Sequence, residues 1–231
     1  MPAVFPLNVT TSHKAVPPRR RSGEKEVASA ANARNINDPP RFTGADFLPL
    51  WPEKRGNKMN HNDLSQCRVD TDRLLIAPFT AADADDVYQA ITPTLTRFMT
   101  FEPEASPEDF ANVWQGWLPL MREGEEVIFV ARRREDRQFV GVGGAHNLRS
   151  HTPELGIWVK ESLHGQGYGR EIVQGIARWA SERFQPPHFL YPVAEQNTAS
   201  RRLVESLGGV LAGRCERIKY DAVVYHLPPQ R

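Results

Sequence analysis

One short segment constrains the fold of this chain more than any other. Three glycines alternate in the run His-Gly-Gln-Gly-Tyr-Gly-Arg at residues 164–170. A strand pattern, Glu-Leu-Gly-Ile-Trp-Val at residues 154–159, precedes the run, and the spacing of an amphipathic helix follows it to Phe184. Glycine lets a ligand approach the backbone closely, and a helix N-terminus presents N–H groups with partial positive charge. The segment therefore predicts a phosphate-binding loop, with a tight strand-to-helix turn that binds no ligand as the alternative.

The spacing of the glycines excludes two common phosphate-binding loops. A P-loop ends in Gly-Lys-Ser or Gly-Lys-Thr, and neither tripeptide occurs in this chain. The dinucleotide fingerprint G-x-G-x-x-G lies early in a β-α-β unit, whereas this chain has G-x-G-x-G late in its sequence. A different pyrophosphate-bearing ligand is therefore expected.

Three motifs together resemble a known family. Residues 164–169 resemble motif A of the GNAT acyltransferases, [Q/R]-x-x-G-x-[G/A], with His164 in place of the usual Gln or Arg. Residues 197–208, Asn-Thr-Ala-Ser followed by a short helix pattern that ends in Leu-Gly, look like the second signature of that family. Residues 71–84 are similar to the entry strand and first helix of the RimJ/RimL branch, which contains the ribosomal-protein N-terminal acetyltransferases. The resemblance runs from about residue 71 to the C-terminus.

The composition excludes several classes of protein. The 231 residues are 40% hydrophobic and 25% charged, and the formal net charge of +1 gives no support for nucleic-acid binding. The two cysteines, Cys67 and Cys215, have no metal-ligand spacing, and no apolar run approaches the roughly 20 residues of a membrane span. Residues 1–30 lack the apolar region of a secretory signal. We therefore expect a cytoplasmic monomer or homodimer that binds no metal, nucleic acid or membrane.

The chain divides near residue 65. Residues 1–62 show no sustained helix or strand period and are dense in Pro, Asn, Ser and charge, so they cannot bury enough apolar surface to fold. The sequence therefore predicts a disordered or non-native extension over residues 1–64 and one acetyltransferase domain over residues 65–231.

The remaining pattern predicts an α/β (α+β) class in the order β-α-α-β-β-β-α-β-α-β-β. Thr80 and Ser106 are the expected N-caps of the first two helices, and the second should end near Leu118 because Pro119 follows. The order gives a mixed, mostly antiparallel sheet with helices on both faces, as expected of the GNAT fold. The predicted strands are 73–77, 127–132, 138–148, 152–159, 189–193, 210–218 and 222–227, and the predicted helices are 81–91, 107–118, 169–184 and 198–207.

The resemblance implies that acetyl-CoA is the co-substrate and that no metal takes part. The backbone N–H groups of Gln166–Arg170 would hold its pyrophosphate, so that a side chain at Gly167 or Gly169 would occupy the ligand's space. The pantetheine arm would pair with the strand before motif A, and the Asn197 amide would bind CoA, with helix capping as the alternative. The predicted cofactor-binding residues are Ile157, Trp158, Val159, His164, Gly165, Gln166, Gly167, Tyr168, Gly169, Arg170 and Asn197.

Transfer of the acetyl group to an amine needs a base and an acid. Glu154 is the candidate base, and alternation along its strand places its side chain on the same face as Gly156 and Trp158. The alternative is a partly exposed acid at a strand start. Ser200 is the candidate acid, by resemblance to the branch, and it could equally orient the thiol or cap its helix. Tyr225 is a further possible acid.

The acceptor amine is less well defined by the sequence. In the branch that this chain resembles, acceptor choice depends on residues 92–106 and on the last hairpin. The resemblance favours a protein or peptide N-terminal amine. The alternatives are a small-molecule amine such as an antibiotic, polyamine or amino acid, and a non-catalytic acyl-CoA-binding module. Side chains that could line the acceptor site, with the core or a structural role as the alternative for each, are Leu95, Phe98, Met99, Phe101, Trp114, Trp117 and His146.

We expect that residues 1–58 are not part of the native protein and that translation begins at Met59. The sequence before Met59 is aperiodic, and the entry strand follows soon after it. Lys54-Arg55-Gly56 also permits a purine-rich codon run that would serve as a ribosome-binding site in a bacterium. The alternative is a genuine disordered arm that docks a partner.

The mass of the natively expressed protein tests this expectation. The expected mass corresponds to residues 59–231, and that shorter protein should bind acetyl-CoA and turn over like the full chain, because no candidate site residue precedes Glu154 apart from the acceptor-site candidates after residue 92. A native mass that matches all 231 residues would contradict the expectation.

Overall fold

The structure, a computed structural model, describes residues 63–231. Nearly all of the predicted extension, and the expected start at Met59, lie outside this range. Packing begins at Leu64, whose side chain is 1% exposed and whose N–H donates to the Met121 carbonyl at 3.0 Å. The packed part of the chain therefore includes the residue just before the boundary predicted at residue 65.

Eight strands and six α-helices make up the described residues. The strands are β1 (Val69–Asp70), β2 (Leu74–Pro78), β3 (Val127–Arg133), β4 (Phe139–His146), β5 (Glu154–Val159), β6 (Phe189–Ala194), β7 (Val210–Glu216) and β8 (Asp221–Leu227). The helices are α1 (Ala84–Ala90), α2 (Pro93–Thr96), α3 (Pro107–Gln115), α4 (Trp117–Glu123), α5 (Tyr168–Phe184) and α6 (Thr198–Ser206). Two short 3₁₀ turns, Ala81–Asp83 and Glu161–Leu163, precede α1 and the glycine loop.

All eight strands form one sheet in the order β1-β2-β3-β4-β5-β6-β8-β7. Neighbouring strands are antiparallel except β5 and β6, which are parallel and are connected through α5. Their register has one Cα pair, Glu154 with Leu190, next to a hydrogen bond from the Leu190 N–H to the Pro153 carbonyl at 2.9 Å. Beyond that pair, β5 and β6 separate and leave an opening in the middle of the sheet.

Alternation along β4 distributes the helices over both faces of the sheet. A Cβ atom at Gly143 would lie 2.4 Å from Cδ1 of Ile176, so α5 packs closely against a bare stretch of β4. Val142 faces the other way and shares a cavity with Trp117 of α4 and Trp158 of β5. The predicted class, a mixed and mostly antiparallel sheet between helices, is confirmed.

The segment predicted as one helix over 107–118 is two helices. The start is as predicted, because the Ser106 hydroxyl accepts the Asp109 N–H at 3.1 Å. The predicted end near Leu118 is wrong, because α3 ends at Gln115 and Pro119 is the third residue of α4. The first N–H groups of a helix have no intrahelical acceptor, so proline is tolerated in a first turn. The short elements β1 and α2 were not predicted.

Candidate active site

The glycine loop has the backbone conformation that its sequence suggests. Gly165 and Gly167 have φ of +74° and +80°, in the left-handed region that favours glycine. Gly167 is the N-cap of the 17-residue helix α5, so the N–H groups of the next three residues have no acceptor within the helix. The loop therefore presents backbone donors and the positive end of a helix dipole at one place, which suits a pyrophosphate.

Arg73 immediately precedes β2, and its side chain supports this loop. Its Nε donates to Oε2 of Glu171 at 2.7 Å, and its Nη1 donates to the Gln166 carbonyl at 3.1 Å. The guanidinium also lies over the ring of Tyr168, 4.5 Å from the ring centroid. Thr71 adds a hydrogen bond to the same Glu171 carboxylate at 2.6 Å. Arg73 is a residue that sequence reasoning missed, because 93 residues separate it from its carbonyl acceptor.

Gly169 was predicted to leave space for the ligand, but the structure gives it a role in packing. A Cβ atom there would lie 3.1 Å from Cδ1 of Leu203 and 3.6 Å from Cδ1 of Ile157. The missing side chain thus allows α5 to approach α6 and β5 closely. His164 lies at the other end of the loop, where its Nε2 is 2.7 Å from the Val159 carbonyl oxygen.

The ladder between β4 and β5 determines which backbone groups face the opening. The Lys160 N–H donates to the Val140 carbonyl at 2.8 Å, and the register pairs Trp158 with Val142. Hydrogen-bonded pairs alternate along an antiparallel ladder, so the N–H and C=O of Trp158 point to β4. The backbone groups of Ile157 and Val159 point to the opening. The prediction that Trp158 pairs with the pantetheine arm is therefore corrected, because its backbone is already used.

The opening leads into a pocket of about 830 Å³, open solvent included. Three of the aromatic and thioether residues proposed from the sequence line it, together with residues from the sheet, α6 and the last hairpin. Its lining comprises Phe98, Met99, Thr100, Phe101, Ile128, Val142, Gly144, His146, Glu154, Leu155, Gly156, Ile157, Trp158, Tyr191, Pro192, Val193, Asn197, Ser200, Arg217, Tyr220 and Ala222.

Glu154 lies at the point where β5 and β6 separate. Its side chain is 4% exposed, so the reading of a partly exposed acid does not hold. Burial raises the pKa of this carboxyl to about 7, while the charges of His146 and Arg217 lower it and that of Glu126 raises it. A carboxyl with a pKa near neutrality can both accept and release a proton at physiological pH.

His146 lies beside Glu154, its partner across the β4–β5 ladder. Its Nδ1 is 2.9 Å from Oε2 of Glu126, and its ring covers Gly144, where a Cβ atom would lie 2.3 Å from Nε2. The residue therefore lines the pocket and is also held by a structural partner, so the two readings of His146 are compatible. Glu126 was not singled out from the sequence, because it precedes a strand without a motif.

Ser200 lies on the opposite side of the pocket from the strand β5. Its hydroxyl is 2.9 Å from the Tyr191 hydroxyl, and its N–H donates to Oδ1 of Asn197 at 3.1 Å. Asn197 thus caps α6 with its side-chain oxygen. Burial raises the pKa of Tyr191 to about 12, while the hydrogen bond to Ser200 lowers it, so the pair is neutral and can relay a proton between hydroxyls.

The structure does not bring every sequence candidate to the pocket. The Tyr225 hydroxyl accepts a hydrogen bond from Nε of Arg201 at 3.0 Å and donates to Oε1 of Glu205 at 2.6 Å, away from the pocket lining. Leu95 and Trp117 are buried in the core, and Trp114 packs against Phe79 with 5.7 Å between ring centroids. For Tyr225 and for these three side chains, the alternative of a structural role in the sheet or the core fits these contacts.

Two lining residues of the last hairpin, Arg217 and Tyr220, have no sequence motif. Both are half-buried in the turn between β7 and β8. The prediction that this hairpin borders the acceptor site indicated the segment but not the side chains. Among residues 63–231, no helix is both long and apolar enough to cross a membrane. In the same residues, no group of three or more His, Cys, Asp or Glu side chains has an arrangement that could hold a metal ion.

The sequence profile described as Acetyltransferase (GNAT) domain matches residues 73–210, more than half of the chain. The chain therefore belongs to the GNAT acetyltransferases. It is an N-acetyltransferase, and acetyl-CoA is its co-substrate. The chain is 22% identical over 156 residues to YoaA, an uncharacterized N-acetyltransferase of Bacillus subtilis (strain 168), and the match covers 66% of this chain and 88% of that protein.

Solved structures of similar fold include a ribosomal L7/L12 alpha-N-protein acetyltransferase (RimL), a RimJ protein and a spermidine N-acetyltransferase. RimL in complex with coenzyme A has a TM-score of 0.62 at 16% identity and covers 70% of this chain and 97% of its own. Mycobacterium smegmatis RimJ in complex with CoA-disulfide has a TM-score of 0.61 at 17% identity, and the match covers 67% of this chain and 81% of that chain. Vibrio cholerae spermidine N-acetyltransferase in complex with CoA and spermine has a TM-score of 0.60 at 14% identity, and the match covers 69% of this chain and 97% of that chain. At these identities the likeness establishes the fold.

Two glycine variants should separate the binding role of the loop from its packing role. Gly165→Ala adds a methyl group in open space at a positive φ, so it should cost about 1 kcal/mol of stability and weaken acetyl-CoA binding. Gly169→Val pushes against Leu203 and should cost about 1–3 kcal/mol. Thermal unfolding and calorimetry with acetyl-CoA measure both effects. Unchanged affinity in Gly165→Ala would mean that the loop is only a turn.

The buried carboxyl of Glu154 should make stability depend on pH. Its folded pKa of about 7 lies above the ordinary 4.5, so the folded protein keeps a proton that the unfolded chain releases in this window. Stability from this group is therefore present below pH 4.5 and falls by roughly 3 kcal/mol as pH rises through 7. Glu154→Gln cannot ionise and should melt above the wild type at pH 8 but close to it at pH 5. A melting difference that is the same at both pH values would contradict this.

Proposed function

We propose that this N-acetyltransferase transfers the acetyl group to a primary amine by direct attack in a ternary complex, and that the acceptor is a protein or peptide N-terminal amine. The observation that carries the mechanism is the buried carboxyl of Glu154 at the point where β5 and β6 separate. Support for the acceptor comes from the RimJ/RimL-like motifs and from the similarity in fold to RimL and RimJ.

The cofactor half of the site fits coenzyme A on three observations. The loop with two left-handed glycines precedes a helix N-terminus, backbone groups of Ile157 and Val159 face the opening, and Asn197 lines the pocket. The loop would hold the pyrophosphate, Ile157 and Val159 would pair with the pantetheine amides, and Asn197 would bind further along the arm. His164 would keep its bond to Val159 and hold the end of the loop.

In the transfer step, the amine nitrogen bonds to the thioester carbon and the carbon–sulfur bond breaks. Glu154 takes a proton from the attacking nitrogen, directly or through water, and later releases it to solvent. A backbone N–H of the separated strands stabilises the developing charge on the carbonyl oxygen. Ser200 gives its hydroxyl proton to the departing sulfur and regains one through Tyr191 or water. The products are the acetylated amine and CoA with a free thiol.

A small-molecule amine is the second candidate acceptor. The observation that favours it is the similar fold of the Vibrio cholerae spermidine N-acetyltransferase. We also propose that the catalytic domain comprises residues 65–231, because every site residue named above lies in it, and that the protein acts in the cytoplasm as a monomer or homodimer.

Thiol release from acetyl-CoA, measured against N-terminal peptides, polyamines and aminoglycosides, tests the acceptor class. We expect signal with the peptides, a rate that rises with pH through about 7 as Glu154 ionises, and a loss of that dependence in Glu154→Gln with acetyl-CoA binding retained. Ser200→Ala should cost about tenfold, because water can replace its proton. Signal with polyamines alone would contradict the peptide acceptor, and full activity of Glu154→Gln at all pH values would remove Glu154 as the base.

A further inference from the structure

The acceptor end of the pocket has a negatively charged region and a positively charged region, called here its negative and positive poles. The negative pole lies on the sheet, where Glu154 is next to His146 and its partner Glu126. The positive pole is Arg217, which lines the same pocket from the turn between β7 and β8. The charge of Arg217 reaches Glu154 and Tyr220, because it lowers the pKa of both groups. The two poles therefore face the same space.

Arg217 differs from Arg214 and Lys219 of the same hairpin because it has no ionic partner in the part of the chain that the structure describes. Among residues 63–231, no carboxylate lies within 4.0 Å of its guanidinium, and its backbone N–H donates to the Tyr220 carbonyl at 3.0 Å. By contrast, Arg214 is paired with Glu195 at 2.7 Å, and Lys219 with Glu102 at 2.7 Å. A half-buried guanidinium without a partner is costly unless a ligand provides one.

Because no carboxylate among residues 63–231 is within ion-pair distance of Arg217, an anion that pairs with its guanidinium would come from the ligand. Apart from Arg217 itself and from Glu154 and His146 on the sheet, the pocket lining is apolar or neutral and includes Phe98, Met99, Phe101 and Tyr220. Arginine binds a carboxylate with two parallel N–H donors, which fixes the orientation of the ligand as well as its position. A second ammonium group, as in a polyamine, would be placed against a positive charge.

We propose that the acceptor carries a carboxylate next to its amine, and that Arg217 binds this carboxylate while Glu154 faces the amine. The inference rests on the proposed function, since it specifies the acceptor of the same site. Two sources have this chemistry: a free α-amino acid, and a peptide with an acidic residue at or next to its N-terminus. The pole on the sheet and the pole on the hairpin would bind the two ends of either ligand.

Matched pairs of acceptors test the proposal on the full-length protein. One arm compares peptides with Asp and Asn at the second position, another compares amino acids with their amides, and spermidine is a third. In the wild type, kcat/KM should favour the acid over the amide by about 10- to 100-fold, the value of a charge-assisted hydrogen bond. In Arg217→Gln this ratio should fall to near one, and in Arg217→Lys to an intermediate value.

The ratio is the right quantity because Arg217 also acts on Glu154. Loss of the guanidinium raises the pKa of Glu154 and slows all acceptors at neutral pH, and this common effect cancels between acid and amide. Arg214→Gln is the matched control, since Arg214 is on the same hairpin with its guanidinium exposed, and it should leave the ratio unchanged. Acetyl-CoA affinity should be the same in all three variants.

The outcomes separate this inference from the proposed function. Turnover with an acid-to-amide ratio near one in the wild type, or a ratio that Arg217→Gln does not change, would overturn the inference and leave the N-acetyltransferase proposal in place. Preferred turnover of spermidine would also overturn it. Acetyl-CoA binding without thiol release for any acceptor would contradict both this inference and the proposed function. The arm with the larger ratio identifies the amino acid or the peptide as the source.

Discussion

The chemistry of this chain depends on one pair of parallel strands that stop pairing after a single register position. Strands β5 and β6 meet at Glu154 and Leu190, and the crossover helix α5 keeps their further ends apart. Unpaired backbone groups in a protein interior need partners, so the N–H and C=O of Ile157 and the N–H of Val159 suit a ligand with amides of its own, whereas the Val159 carbonyl already has His164 Nε2 at 2.7 Å. The glycine loop that begins α5 lies at the end of the same opening. One break in the sheet therefore creates both the groove and its charged terminus.

The same break determines the properties of Glu154. A carboxyl at the last paired position is covered by the sheet and by the α2–α3 segment, and its burial raises its pKa to about 7. Burial of an ionisable group lowers the stability of the fold where the group must be charged. Among the neighbouring charges, His146 and Arg217 lower the pKa of Glu154 and Glu126 raises it, so groups from three separate segments of the chain act on the base. A local loss of stability of this kind is typical of a catalytic position.

Sequence patterns predicted what is local and missed what depends on distant segments. The glycine loop, the buried face of α5 and the Ser106 cap each have their determinants within a few residues. Arg73 and Glu126 have no local signal, since their partners Gln166 and His146 lie in elements that only the fold brings near. The end of the second helix was wrong for another reason: a proline restricts a helix interior but not its first turn, and the sequence alone does not give the phase of α4.

Within residues 63–231, Arg217 has no ionic partner, and the residue two positions later explains why. Nζ of Lys219 donates to the carbonyls of Thr96 and Phe101 at 2.9 Å and 3.0 Å, and it pairs with Glu102. This cluster attaches the tip of the last hairpin to the segment between α2 and α3, the other wall of the pocket. Because Lys219 holds the hairpin in place, Arg217 is not needed for that purpose and remains directed to the pocket. The attachment also makes the two walls one unit, so a change in either wall should alter the space in which the acceptor binds.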